Sequence, residues 1–131
     1  MSTPIRIGTR DSQLARWQAS RVQTLLKKEG VESVLIPIHS EGDLDLTTPL
    51  YEMGVQGIFT RSLDQALLAG KIDIAVHSMK DVPTKLPAGI VAAAVLERGP
   101  VHDLLAAPKG FSFLEQPGYI AQIGTSSLRR R

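Results

Sequence analysis

Two short stretches repeat an order of residues suited to holding an anion. In Ile7-Gly8-Thr9-Arg10-Asp11-Ser12-Gln13-Leu14 and in Ile123-Gly124-Thr125-Ser126-Ser127-Leu128, a Gly-Thr pair leads into hydroxyl side chains. Arg10 sits inside the first stretch, and Arg129 and Arg130 directly follow the second. Where such a stretch opens a helix, the first-turn N–H groups lack partners within the helix and point outward with the positive end of its dipole. Hydroxyls add donors, and arginine adds a planar fork matched to carboxylate or phosphate. A third polar cluster, Lys80-Asp81, lies within His77-Ser78-Met79-Lys80-Asp81-Val82-Pro83. Each cluster taken singly has a plainer reading, because serine and threonine cap helices and a Lys-Asp pair is common in exposed turns. The repetition, with arginine in both copies, favours a ligand.

The elements around these clusters place all three at the same end of a sheet. Residues 4–8 read as a short strand ended by Gly8. From Ser12 to Lys28, Leu14, Trp17, Val22, Leu25 and Leu26 predict one apolar helix face, with Trp17 in the core, Lys27 and Lys28 at the negative end and Gly30 as the stop. Val34, Ile36 and Ile38 alternate as a second strand. Residues of about 40–59, with Gly42, Pro49, Gly54 and Gly57 among Glu41, Asp43, Asp45 and Glu52, predict a long loop suited to a lid. Ser62 to Ala69 predicts a second helix capped by Thr60 and stopped by Gly70. Ile72, Ile74 and Val76 predict a third strand, and the apolar run Gly89 to Leu96 a strand buried on both faces. This is an α/β pattern, and ligands of such sheets bind beyond the carboxyl ends of the strands.

The repeated cluster further suggests a bilobal architecture of the type II periplasmic-binding-protein kind, with two lobes facing a cleft. Residues 1–98 would form most of the first lobe, and 99–131 the crossover and the start of the second. The second lobe breaks off at Arg131, so the expectation is an N-terminal piece of a longer protein. Its cut sheet, with open edges, predicts self-association.

Composition narrows the classes. The 131 residues carry fifteen Lys+Arg and thirteen Asp+Glu for a net charge of +2, with 43% hydrophobic and 21% charged residues, which excludes a disordered chain. Residues 1–65 hold seven basic and eight acidic side chains, so the basic excess is local to Arg129-Arg130-Arg131 and makes a poor nucleic-acid surface. No apolar run approaches the roughly 18 residues of a membrane span. The N-terminus lacks a secretory pattern, which predicts a soluble cytoplasmic protein. There is no cysteine, and His39, His77 and His102 lack metal-ligand spacing.

Ile7 through Ala15 with Trp17-Gln18, then Glu41-Gly42-Asp43, then Asp73 through Pro83, then Gly124 through Arg130, together resemble the porphobilinogen deaminase (hydroxymethylbilane synthase) family, in the family's order. The resemblance implies a transferase of tetrapyrrole and haem biosynthesis. Such an enzyme joins four porphobilinogen molecules head to tail into hydroxymethylbilane, releasing ammonia at each step, and works as a monomer. It also implies a dipyrromethane cofactor, tied by a thioether to a cysteine of a third domain absent from this sequence, so that these residues alone would be inactive. Matched position by position, Lys80, Asp81, Thr125, Ser126, Ser127, Arg129 and Arg130 would bind the cofactor, and Arg10 and Ser12 the substrate or growing chain. Asp81 would be the catalytic group, its carboxylate stabilising the cationic methylene-pyrrolenine left when ammonia departs. Gly54-Val55-Gln56-Gly57 departs from the family's Gly-Lys-Gly, so Gln56 stands where a cation is usual, while Arg61 keeps its charge. The competing reading is a non-catalytic solute-binding lobe, since fold alone does not separate the two.

Overall fold

The computed structural model describes residues 3–39 and 60–125. The lid loop expected at about 40–59 lies outside them. The chain divides into two compact units, Met1–Ala94 and Val95–Arg131.

The first unit is α/β. Strand β1 (Ile5–Arg10) leads into helix α1 (Gln13–Lys28), strand β2 (Ser33–Ile38), helix α2 (Arg61–Leu68) and the short strand β3 (Ile74–Ala75). The sheet is parallel, in the order β2-β1-β3. β1 does not end at Gly8 as expected, because Thr9 and Arg10 continue the pairing opposite Pro37 and Ile38. Pro37 has no N–H to give, which suits its place on an outer strand. β3 is shorter than the expected Ile72–Val76 run, although Asp73 N–H to Arg6 O (2.9 Å) and Val76 N–H to Gly8 O (3.1 Å) extend its ladder.

Both helices stop where glycine can take a left-handed backbone, at Gly30 (φ 75°) and Gly70 (φ 67°). After each, a backward bond closes the end: Val31 N–H to Leu26 O and Lys71 N–H to Ala66 O, both 2.9 Å. Thr60 holds the cap position of α2 without a side-chain capping bond.

The face that α1 turns inward matches the expected one only at Val22 and Leu26. Ala15 and Ala19 are its buried residues, with Val22 and Leu26 half-buried beside them, while Leu14, Trp17 and Leu25 are 56%, 57% and 41% exposed. At 100° per residue the two sets lie about a third of a turn apart. The alanines win the inward position because their small side chains let the helix axis approach the sheet closely. Trp17 is therefore not a core residue; the Arg21 guanidinium lies 5.6 Å from its ring centre.

α2 packs through Leu63 and Ala66, which with Ile72 form a buried cluster against Ile36, Ile38 and Ala75. Gly8 sits opposite Ile36 and Ala75, so this face of β1 looks at α2. Right-handed crossovers place α1 on the other face, over Ile7 and Thr9, both fully buried. Fully burying a side chain such as Ile7 or Leu63 contributes about 1.5–3 kcal/mol.

At the amino end of the sheet, Arg6 and Asp73 form a bidentate pair. Arg6 Nε donates to Asp73 Oδ2 (3.0 Å), Nη2 to Oδ1 (2.7 Å) and Nη1 to Gly70 O (2.7 Å), while Arg6 N–H also donates to Asp73 Oδ2 (2.8 Å). The Arg6 guanidinium and backbone N–H hold the Asp73 carboxyl down to about 2, against an ordinary 3.8. A lowered folded-state value means stability that is fully present above pH 3.8 and lost as pH falls towards 2. In urea titrations the midpoint gap between the parent and Asp73→Asn is expected to be open at pH 5 and to close by pH 2. A gap still open at pH 2 would show that the pair is not its source.

The expected strand at Gly89–Leu96 is absent. The segment carries no regular structure, and Val91 and Val95 are 80% and 71% exposed. A strand buried on both faces needs a neighbour for its ladder, and no described strand pairs with it. Nor does a strand precede Gly124, since residues 119–125 have no regular structure. Within the second unit, a 3-10 turn at Ser112–Glu115 gathers Phe111, Phe113 and Tyr119, with ring centres 6.5 Å and 5.6 Å apart along the series.

Candidate active site

The strand order reverses direction across β1: the chain leaves β1 for β2 on one side and returns to β3 on the other. The carboxyl ends of β1 and β3 therefore flank a switch point, where a crevice opens between diverging connections. A cleft of about 160 Å3 lies there, lined by Arg10, Ser12, Leu14, Ala15 and Gln18 on one side and Ser78, Lys80 and Asp81 on the other.

Local chemistry puts each side chain in place. Arg10 is the last residue of β1, and Ser12 is the N-cap of α1, its Oγ accepting from Ala15 N–H at 3.2 Å. That bond uses an acceptor lone pair, and the hydroxyl proton remains a donor. β3 runs out into a 3-10 turn, Met79–Asp81, in which Asp81 N–H donates to Ser78 O (2.9 Å) and Val82 N–H to Met79 O (3.1 Å). Val82-Pro83 disfavours continuing that turn as a helix.

Among the described residues the cleft lining holds two cations, Arg10 and Lys80, and one carboxylate, Asp81. The nearby Asp11 is turned to Arg16, whose Nε donates to Oδ1 at 2.7 Å and whose Nη2 contacts the same oxygen. His39 Nδ1 lies 3.7 Å from Asp11 Oδ2. The site thus keeps a positive balance beside a helix N-terminus, which suits a ligand with carboxylates. Burial pushes the half-buried His77 imidazole below its ordinary 6.5; Asp64 and Asp81 act against that push and Arg10 adds to it.

Four residues singled out by sequence, Arg10, Ser12, Lys80 and Asp81, meet in this cleft. Thr125 belongs to the second unit, where it borders an open cavity of about 770 Å3 lined by residues 103–110 and by Phe113 and Tyr119. Ser126, Ser127, Arg129 and Arg130 lie outside the described residues, as does Gln56. Arg61 opens α2 and is exposed. Sequence reasoning passed over Gln18 and Ser78 as site residues. Their signal was positional: Gln18 stands one turn beyond Leu14 on the helix opened by Ser12, and Ser78 directly precedes the turn that carries Lys80 and Asp81.

A family model described as porphobilinogen deaminase, dipyromethane cofactor binding domain, matches residues 5–131. The chain belongs to this family. Porphobilinogen deaminase of Syntrophotalea carbinolica is 46% identical over 132 residues, covering 99% of this chain and 42% of the relative. That of Moorella thermoacetica is 45% identical over 129 residues, covering 97% and 41%, and that of Syntrophomonas wolfei 47% over 128 residues, covering 96% and 42%. The chain thus spans about two fifths of the length of these curated relatives. Among the described residues no helix is long and apolar enough to cross a membrane.

Proposed function

We propose that these residues act within a protein of the relatives' length that joins four porphobilinogen molecules into hydroxymethylbilane, releasing ammonia at each addition. The observation that carries this reading is the meeting of Arg10, Ser12, Lys80 and Asp81 in one cleft at the switch point, in a chain that belongs to the deaminase family. Arg10 and Ser12 bind carboxylates of the incoming substrate or growing chain. Lys80, with Thr125, Ser126, Ser127, Arg129 and Arg130, binds carboxylates of a dipyrromethane cofactor. The cation-rich lining and the Ser12 hydroxyl fit such carboxylates, while a chain without cysteine has no thiol to attach the group. When bound, the dipyrromethane serves as the primer on which pyrroles are added.

Asp81 is the catalytic residue in this reading. Its carboxylate faces the cation that forms on the substrate as ammonia leaves, and it takes hydrogen bonds from pyrrole N–H groups. Lys80 and Arg10 share the cleft lining with it. The architecture we propose is bilobal, with residues 1–98 as first lobe and 99–131 as crossover into a second. The 131 residues alone are inactive in this reading, since they contain no cysteine to attach the primer.

Intact mass and turnover test the reading together. Joined to the downstream part of the Syntrophotalea carbinolica relative, and made in cells that supply porphobilinogen, the chain is expected to gain the mass of one dipyrromethane and to form hydroxymethylbilane. The 131 residues by themselves are expected to do neither. A folded fusion with a bare mass and no turnover would move the assignment to a solute-binding lobe.

A further inference from the structure

Gln18 and Ser78 are sixty positions apart, yet their side chains meet in the lining of the cleft, with Gln18 Nε2 3.0 Å and Oε1 3.1 Å from Ser78 Oγ. The two belong to elements of unequal stiffness. Gln18 stands on α1 between Ala15 (8% exposed) and Ala19 (0%), the residues that seat this helix on the sheet. Ser78 directly precedes the three-residue turn Met79–Asp81, whose own backbone bonds are Asp81 to Ser78 and Val82 to Met79. The turn follows a strand of only two residues. Ser78 occupies the cap position of the turn, but its hydroxyl makes no capping bond and is directed to Gln18 instead.

We propose that Gln18 is a positioning residue, clamping the Lys80–Asp81 turn to helix α1 through Ser78 so that the Asp81 carboxylate is held at a set distance from Arg10 and Ser12. The proposal rests on the function assigned above. α1 already carries Ser12 at its N-cap, so the clamp makes one rigid helix the reference for both sides of the cleft. A short turn fixed only by its own backbone could rock about β3, and reacting groups are sensitive to displacements near 1 Å, which can cost roughly 100-fold in rate. A hydroxyl facing an amide can donate or accept, so the pair holds while the turn adjusts to a ligand.

The test separates positioning from direct ligand contact. In the intact enzyme, Gln18→Ala is expected to lower kcat roughly 10- to 100-fold with KM within about 3-fold of the parent. Ser78→Ala should match it, and Ser78→Thr, which keeps the hydroxyl, should restore most of the rate. In an Asp81→Asn background, Gln18→Ala should cost nothing further, because it acts through that carboxylate. An equal loss in both backgrounds, or a raised KM with unchanged kcat, would overturn the proposal and make Gln18 a ligand contact. Amide exchange gives a readout independent of turnover: Gln18→Ala should speed exchange at Asp81 and Val82, and unchanged exchange there would also overturn it. Should Asp81→Asn prove fully active, the catalytic assignment falls, while the exchange result still decides whether the clamp exists.

Discussion

Asp81→Asn is expected to reduce kcat of the intact enzyme roughly 100- to 10,000-fold while changing KM by less than about 3-fold. Asparagine keeps the shape of the side chain but removes the charge and turns one acceptor oxygen into an NH2 donor. Among the described residues Asp81 is the one carboxylate in the cleft lining, against the cations Arg10 and Lys80. In the proposed reaction those cations would hold carboxylates in the ground state and the transition state alike, whereas the Asp81 charge would gain most as positive charge develops on the substrate. Losing it should therefore fall on kcat.

Asp81→Glu sharpens the same expectation. It preserves the charge and moves it by one methylene, so the rate should be intermediate, about 10- to 100-fold below the parent. Single-turnover measurement of ammonia release reads this step directly. If Asp81→Asn releases ammonia within threefold of the parent rate, the carboxylate has no part in stabilising the cation. A fall confined to KM would make Asp81 a binding residue.

The parts of this site that sequence makes legible are those governed by local rules. Ser12 capping α1 and the stops at Gly30 and Gly70 follow from chemistry within one turn of the chain, and the structure has all three. The meeting of Arg10, Ser12, Lys80 and Asp81 follows from one further step, that parallel strands present their carboxyl ends together. What escapes is set by partners distant in the chain. The Gln18–Ser78 contact spans sixty positions and the Arg6–Asp73 pair sixty-seven, and neither residue type announces its partner. Of the stripe Leu14, Trp17, Val22, Leu25 and Leu26, only Val22 and Leu26 lie towards the inward face, because close packing on a sheet selects the smallest side chains, Ala15 and Ala19. Gly89–Leu96 shows the same limit from the other side: its composition suits a buried strand, but a strand exists only where a neighbour completes its hydrogen bonds.

Gly8 is where the second large effect is expected, and its cause is space. The residue lies mid-strand in β1, opposite Ile36 and Ala75, with its Cα facing α2. A Cβ built there would run into Ile72 Cδ1 and come within 2.9 Å of Leu63 Cδ2. Both neighbours are core residues, Ile72 2% and Leu63 1% exposed, so neither can swing out into solvent without opening the cluster they form. Gly8→Ala should therefore destabilise the fold by about 1–3 kcal/mol through overpacking, despite alanine's smaller loss of backbone entropy on folding. For a unit of this size that lowers the melting temperature by about 4–8 °C per kcal/mol. The clash also names its own remedy. Ile72→Ala alone should destabilise by leaving a cavity, yet Gly8→Ala combined with Ile72→Ala should be more stable than the sum of the two losses, because each change fills or clears the space the other needs. Thermal unfolding of the two single variants and the double variant measures this coupling. Additive losses would mean that Gly8 does not set the spacing between β1 and α2, and that Arg10, two residues further along the same strand, owes its place in the cleft to other contacts.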